Sequence, residues 1–167
     1  LRNPADTLNF FGAAIDFYQA YKNADTTKVD LVLSIFKHPV TGASLNLANG
    51  LDISDIFILG YYDKATKAGY GILYDKDGIL RDPVKTMAFF EATAELIQEI
   101  INRNLQQDFY TVYNINISFS SLRPQDLELL GNIVYNKEGR LIDINEYVSV
   151  LPKVADLVRL IRANPEF

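Results

Sequence analysis

The sequence predicts a single α+β domain, in which a largely antiparallel sheet of four to six strands packs on a long central helix and terminal helices close the other side. Two observations carry this prediction. Residues 82–107 are apolar around more than half of a helical circumference, so a helix there needs cover on two sides. Residues 109–120 alternate apolar and polar side chains, which is typical of an antiparallel strand with one buried and one wet face.

The central helix is predicted over about residues 83–106. Asp82 followed by Pro83 is a start signal, because Asp accepts hydrogen bonds from the first N–H groups and Pro loses none there. One apolar stripe runs along this helix, and a second lies on nearly the opposite side. The second stripe holds Phe89, Leu96 and Ile100. It is either an interface with another chain or a surface covered by the terminal helices, and ordinary burial favours the latter.

Helices are also predicted at both ends of the chain. Asn3 and Pro4 repeat the start signal, and the first helix should run to about Lys22. Asp143 and Glu146 form a predicted capping box for the last helical region, and Pro152 should split or kink it. The apolar face of the last helix is predicted to hold Val154, Leu157, Val158 and Ile161, with Lys153, Asp156, Arg159 and Arg162 outside.

Short apolar runs between turn-rich segments predict the strands. They are residues 29–36, 56–62, 70–75 and 109–120, with a tight hairpin over 133–142. Residues 72–80 echo residues 133–141, and each segment precedes a helix that starts with Asp. Two turns that share one Asx-x-x-Gly solution explain this echo better than duplication does.

Composition limits the classes of function. The chain has 167 residues, enough for one domain, and a net charge of −5 with a pI of about 4.8, which argues against nucleic-acid partners. No apolar run reaches the roughly 18 residues that a membrane span needs. The absence of cysteine excludes disulfides and thiolate chemistry.

The 75–78 segment resembles part of a calcium loop, but the essential first and last carboxylates are missing. Neither a metal nor a cofactor is therefore predicted.

The long polar loop at residues 37–55 is the one place where composition hints at a site, since long loops in compact domains are often functional. It contains the only histidine. Candidate catalytic residues are His38 with Asp52 or Asp55, and candidate binding residues are His38, Asn46, Asn49, Asp52, Tyr61 and Tyr62. A solvent-exposed loop start is the simpler role for His38.

Three hypotheses follow, in order of preference. The first is a non-catalytic interaction or assembly domain, a subunit or segment of something larger, with a protein partner or self-association through Phe89, Leu96 and Ile100. The second is a small-ligand-binding domain with a Tyr-lined pocket gated by the 37–55 loop. The third is a hydrolytic or isomerising enzyme built on His38. The sequence carries no nucleophile, metal or phosphate motif that fixes an activity.

Overall fold

The computed structural model describes residues 4–38, 41–60 and 71–166, and this part of the chain is helical. Its helices are α1 (Pro4–Asn23), α2 (Thr26–Leu33), α3 (Ile53–Leu59), α4 (Pro83–Asn102), α5 (Gln106–Tyr113), α6 (Asp126–Val134) and α7 (Ile144–Ala163). Extended pairing in the described residues is limited to isolated antiparallel bridges.

The predicted α+β fold with a four-to-six-strand sheet is therefore wrong. The run at 29–36 lies in α2 and the turn after it, the run at 56–62 lies in α3 as far as Leu59, and the run at 109–120 begins inside α5. Asp25 and Asp52 cap α2 and α3, since their side chains accept hydrogen bonds from the backbone N–H groups of Lys28 and Ser54. Apolar runs of this length fit a buried strand and a short buried helix equally well, so periodicity alone does not separate them.

The predicted central helix is confirmed as α4. Asp82 accepts from the backbone N–H groups of Val84 and Lys85, and α4 begins at Pro83 as the start signal indicates. It ends at Asn102, earlier than predicted, because Asn104 takes a left-handed conformation (φ 55°) before α5 begins. The terminal helices are also confirmed. α7 runs as one helix across Pro152, so of the predicted split or kink the split is wrong and the kink stays a prediction.

The chain forms two compact units, Leu1–Glu91 and Ala92–Phe167, called unit 1 and unit 2 here. In unit 1, α1 packs on α2 and α3. The fully buried side chains there include Phe17, Val29, Val32, Leu33 and Ile56. In unit 2, α5 packs on α7. Its fully buried side chains include Phe109, Leu96, Ile100, Val148 and Ala155.

Each unit contains a hairpin that leads into a helix of 20 residues. Tyr74 bridges Leu80 before α4, and Tyr135 bridges Leu141 before α7. The two turns have the same hydrogen-bond pattern. The Oδ1 atom of Asp75 accepts from the backbone N–H groups of residues 77 and 79, at 2.9 and 3.0 Å. The Oδ1 atom of Asn136 accepts from those of residues 138 and 140, at 3.0 and 2.9 Å.

The glycine of each turn completes the correspondence. Gly78 and Gly139 have φ of 77° and 76°, and their N–H groups donate to the carbonyl oxygens of Asp75 and Asn136, both at 3.0 Å. Glycine adopts this left-handed conformation without the steric penalty of a side chain. The sequence echo is therefore a real structural correspondence, and the predicted sharing of one turn chemistry is confirmed.

Candidate functional site

The candidate site is on α7, whose start is fixed by the hairpin and by Asp143. The side chain of Asp143 accepts from the backbone N–H of Glu146 at 3.2 Å and so caps the helix. One face of α7 is buried. Its buried side chains are Val148, Leu151 and Ala155. Their spacing of three and four residues is that of one helical stripe, and this stripe meets α5.

Polar contacts at the edge of that stripe hold α7 against α5. The Nη2 atom of Arg159 donates to Oδ1 of Asp108 at 2.7 Å and to Oγ1 of Thr111 at 3.2 Å. The hydroxyls of Tyr113 and Tyr147 lie 2.9 Å apart. Burial, followed by the hydrogen bond with Tyr113, raises the pKa of Tyr147, so the Tyr147 phenol stays neutral over the physiological range.

A third contact ties the first two turns of α7 to the end of α4. The guanidinium of Arg103 donates to Oδ1 of Asn145 at 3.0 Å and to Oγ of Ser149 at 3.3 Å. Its Nε atom also pairs with Oε2 of Glu99 at 3.0 Å. The guanidinium is planar and uses several donors at once, so it fixes the orientation of α7 as well as its position.

The adjoining face of α7 is apolar and open to solvent. Its side chains are 41–53 % exposed: Val150, Val154, Leu157, Leu160 and Ile161. The sequence predicted an apolar face at Val154, Leu157, Val158 and Ile161, with Arg159 outside. Arg159 is exposed as predicted, but Val154, Leu157 and Ile161 are about half exposed and do not form the buried face. α7 is apolar over two adjoining arcs, and the arc that includes Val148 and Leu151 is the one that the chain covers.

The structure places the predicted interface residues of α4 mostly inside the molecule. Leu96 and Ile100 are both 0 % exposed, so neither is available to another chain in this conformation. Phe89 is half-buried, and its ring centre lies 5.9 Å from that of Phe90. The sequence left the second stripe of α4 open between an interface and internal cover; its Leu96 and Ile100 are buried, and an exposed apolar stripe lies on α7.

The predicted binding residues of the 37–55 loop make local hydrogen bonds. His38 Nδ1 accepts from the backbone N–H of Thr41 at 3.2 Å, which holds the turn that ends in the Lys37–Ser44 bridge. The Oδ1 atom of Asn46 accepts from the backbone N–H of Ala48 at 3.2 Å, and Asn49 is exposed. Tyr61 and Tyr62 lie outside the described residues, so their roles in ligand binding stay predictions.

The candidate catalytic carboxylates act as a helix cap. Asp52 Oδ1 accepts from the backbone N–H of Ser54 at 2.8 Å, and Asp55 Oδ2 accepts from the backbone N–H of Asp52 at 3.2 Å. Together they form a capping box on α3. The backbone hydrogen bond from Ser54 lowers the pKa of Asp52, which favours a permanently ionised cap over a proton-accepting base. The role of His38 with these residues in an enzyme stays a prediction.

A groove in unit 1 is the second feature of interest. It has a volume of about 320 Å³ and lies between α1 and the first hairpin. Its walls include the apolar side chains of Leu8, Phe17, Ile72, Leu73 and Leu80. Asp16 and Arg81 also line it. Among the described residues, the lining contains no tyrosine and no residue of the 37–55 loop, so the Tyr-lined pocket stays a prediction.

Among residues 4–38, 41–60 and 71–166, no three His, Asp or Glu side chains cluster in a way that could hold a metal ion. In the same part of the chain, no helix has the length and apolar character to cross a membrane. Comparisons of this chain with protein-family models, with curated proteins and with solved structures found no match.

Proposed function

We propose that this chain is a non-catalytic interaction module that binds a protein partner through the exposed apolar face of α7. The observation that carries the proposal is the exposure of Val150, Val154, Leu157, Leu160 and Ile161 along one helix. Each Å² of apolar surface removed from water contributes about 25 cal/mol. A contiguous exposed row of branched aliphatic side chains therefore favours association with a complementary surface.

The correspondence between α4 and α7 supports the same conclusion. Aligning the two hairpins pairs Asp82 with Asp143, and the same alignment pairs buried side chains of the two helices. These pairs are Met87 with Val148, Phe90 with Leu151 and Ala94 with Ala155.

The alignment also pairs the second stripes. Leu96 and Ile100 of α4 correspond to Leu157 and Ile161 of α7. The α4 pair is 0 % exposed, whereas Leu157 and Ile161 are 53 % and 45 % exposed. The equivalent stripe on α7 is thus left about half exposed by the described residues.

The polar contacts that hold α7 are the third support. Contacts from Arg159, Arg103 and the Tyr113–Tyr147 pair fix the helix from its other sides. An interface whose side chains stand on a rigid element loses less conformational entropy on binding than one on a mobile loop. The arrangement suits recognition of a partner, since it presents a preformed helix face.

Affinity capture from an extract of the cells that make the protein tests the proposal. The bait is the immobilised chain, in wild-type form and as Leu157→Glu and Val150→Glu. We expect the wild-type chain to retain at least one protein that both variants lose, because a buried carboxylate is costly to desolvate. Val84→Glu is the matched control, since Val84 is 71 % exposed and lies on α4, a different helix from α7.

Circular dichroism of each bait shows whether the fold survives the substitution. Leu157 and Val150 are about half exposed, so we expect the helical signal to stay unchanged. If all four baits retain the same proteins in the same amounts, α7 is not the interaction surface and the proposal fails.

Small-ligand binding is the second candidate function, and the 320 Å³ groove beside α1 favours it. Pockets of about this size hold small organic molecules. Gly12 lines the groove, and a Cβ built there meets no heavy atom within 4 Å, so Gly12→Phe should fill part of the groove with a ring. Titration with an anilinonaphthalene sulfonate dye should then show binding by the wild-type chain and loss of that binding in Gly12→Phe. Equal binding by both would remove this candidate.

A further inference from the structure

We infer that the partner of the exposed α7 face is a second copy of this chain, seated antiparallel on the same face. The inference rests on the proposed function and names its partner. It commits to a two-fold dimer in which α7 of one protomer lies along α7 of the other.

The spacing of the exposed side chains favours a helix as the occupant. Val150, Val154, Leu157 and Ile161 follow one another at intervals of four, three and four residues. This is the alternation by which one helix presents a seam to another, because it keeps each side chain on the line of contact. A two-fold axis across such a seam brings the same row of side chains from both copies together, so the surface is complementary to itself.

The charges along α7 decide the direction. Its first turn is acidic, with Asp143 as the cap and Glu146 exposed, and its last turn is basic, with Arg162 exposed. Antiparallel pairing places the acidic end of one helix beside the basic end of the other. Parallel pairing would set like charges side by side, which opposes association. The opposed helix dipoles favour the same direction.

Arg159 does not change the preference for antiparallel pairing, because its guanidinium already pairs with Asp108 and Asp156 within the protomer. In contrast, Glu146 and Arg162 make no side-chain ion pair or hydrogen bond in the part of the chain that the structure describes. Both are available to a second copy.

Light scattering over a concentration series tests the self-association. We expect the mean mass of the wild-type chain to rise from 18.9 kDa toward twice that value, and Leu157→Glu to hold it at 18.9 kDa. The matched control is Leu8→Glu. Leu8 is 70 % exposed on α1, so we expect that variant to dimerise as the wild type does.

Cross-linking tests the direction, and the absence of cysteine from the chain makes it specific. Val150→Cys and Ile161→Cys chains are prepared separately and treated with a short bis-maleimide, alone and mixed. In the antiparallel dimer, Val150 of one copy faces the Ile161 end of the other, whereas identical positions lie roughly 16 Å apart along the helix axis. We therefore expect cross-linked dimers mainly in the mixture. Efficient cross-linking of each chain with itself would mean parallel pairing and would overturn the inference.

The outcomes separate this inference from the proposed function. A chain that stays at 18.9 kDa at every concentration, but captures another protein through α7, overturns self-association and leaves the interaction module standing. Dimers that survive Leu157→Glu, or that Leu8→Glu abolishes, place the contact elsewhere and overturn the inference. A monomer with no α7-dependent capture removes both proposals.

Discussion

The hydroxyl of Tyr21 in α1 donates a 2.6 Å hydrogen bond to Oδ1 of Asp30 in α2. The same hydroxyl accepts from the backbone N–H of Leu51 at 3.0 Å, next to the cap of α3. One phenol therefore connects three successive helical segments of unit 1. Burial, together with the hydrogen bond to Asp30, raises the pKa of Tyr21 to about 12, so the hydroxyl keeps its proton over the whole range in which the protein works.

Tyr21→Phe should destabilise the chain. It removes the oxygen and leaves the buried N–H of Leu51 without its acceptor. A buried polar group without a hydrogen bond costs about 1–3 kcal/mol, and we expect the free energy of unfolding in urea to fall by that amount. Tyr18→Phe is the control, because the Tyr18 hydroxyl makes no hydrogen bond within the described residues. Equal losses in both variants would show that the hydroxyl of Tyr21 has no special role.

Acid should weaken the chain through Asp126. Burial raises the pKa of this carboxyl, but hydrogen bonds from the side chain and the backbone N–H of Arg123 outweigh burial, so the pKa lies below its ordinary value. A carboxyl whose pKa is lowered by folding contributes stability above its unfolded pKa of about 3.9, and this stability is lost as the pH falls through the lower folded pKa.

The measurement is the free energy of unfolding against pH, for the wild-type chain and for Asp126→Asn. We expect the difference between them to be constant near neutral pH and to shrink below about pH 4, since only the wild type loses an ionised carboxylate there. A difference that stays constant down to the acid limit would mean that folding does not lower this pKa.

The sequence predicted α4 and α7 from local start signals, but it missed α2 and α3 although Asp25 and Asp52 cap them. Asp82 with Pro83, and Asp143 with its backbone hydrogen bond to Glu146, begin α4 and α7 as expected. In contrast, α5 begins after Leu105, which makes no side-chain capping bond, and its sequence alternates like a strand. Its helical state follows from tertiary contacts with α7, and tertiary contacts are what single-sequence patterns lack.

The apolar character of α7 was also evident in the sequence, but which of its two apolar faces is buried was not. The stripe of Val148, Leu151 and Ala155 and the stripe of Val154, Leu157 and Ile161 both have helical spacing. Arg159 was the available clue, because it continues the first stripe and a guanidinium pairs well with a carboxylate partner. That partner is Asp108 on α5, and only the folded chain brings the two together.

Thr93→Val should leave the chain equally stable or make it more stable. The hydroxyl of Thr93 is fully buried in α4 and has no hydrogen-bond partner among the described residues. Valine keeps the shape and removes the unpaired polar atom, a change worth roughly 1 kcal/mol in favour of folding.

Thr86→Val is the matched comparison on the same helix. Thr86 is also buried, but its Oγ1 donates to the carbonyl oxygen of Asp82 at 2.9 Å, so its replacement gives up a hydrogen bond. Chemical denaturation of both variants should therefore rank Thr93→Val above Thr86→Val in stability. The reverse order would mean that Thr93 has a partner that the folded chain uses, and its hydroxyl would become a candidate for ligand contact.

The turn that positions α7 gives the last prediction. Gly139 sits at φ 76°, and a Cβ built there meets no heavy atom within 4 Å, so Gly139→Ala adds backbone strain and no clash. A left-handed conformation costs a residue with a side chain about 1–2 kcal/mol. Gly12→Ala is the opposite case, because Gly12 lies inside α1 with equal free space and no positive φ. Alanine favours a helix by roughly 0.5–1 kcal/mol over glycine. We therefore expect Gly139→Ala to unfold at a lower temperature than the wild-type chain, and Gly12→Ala to unfold at a higher one.

If the hairpin sets the direction of α7, Gly139→Ala should also weaken dimerisation at temperatures where the chain is still folded, whereas Gly12→Ala should leave the dimer unchanged. A Gly139→Ala chain with wild-type stability would show that the turn tolerates another conformation, and the structural correspondence between the two hairpins would then have no energetic basis.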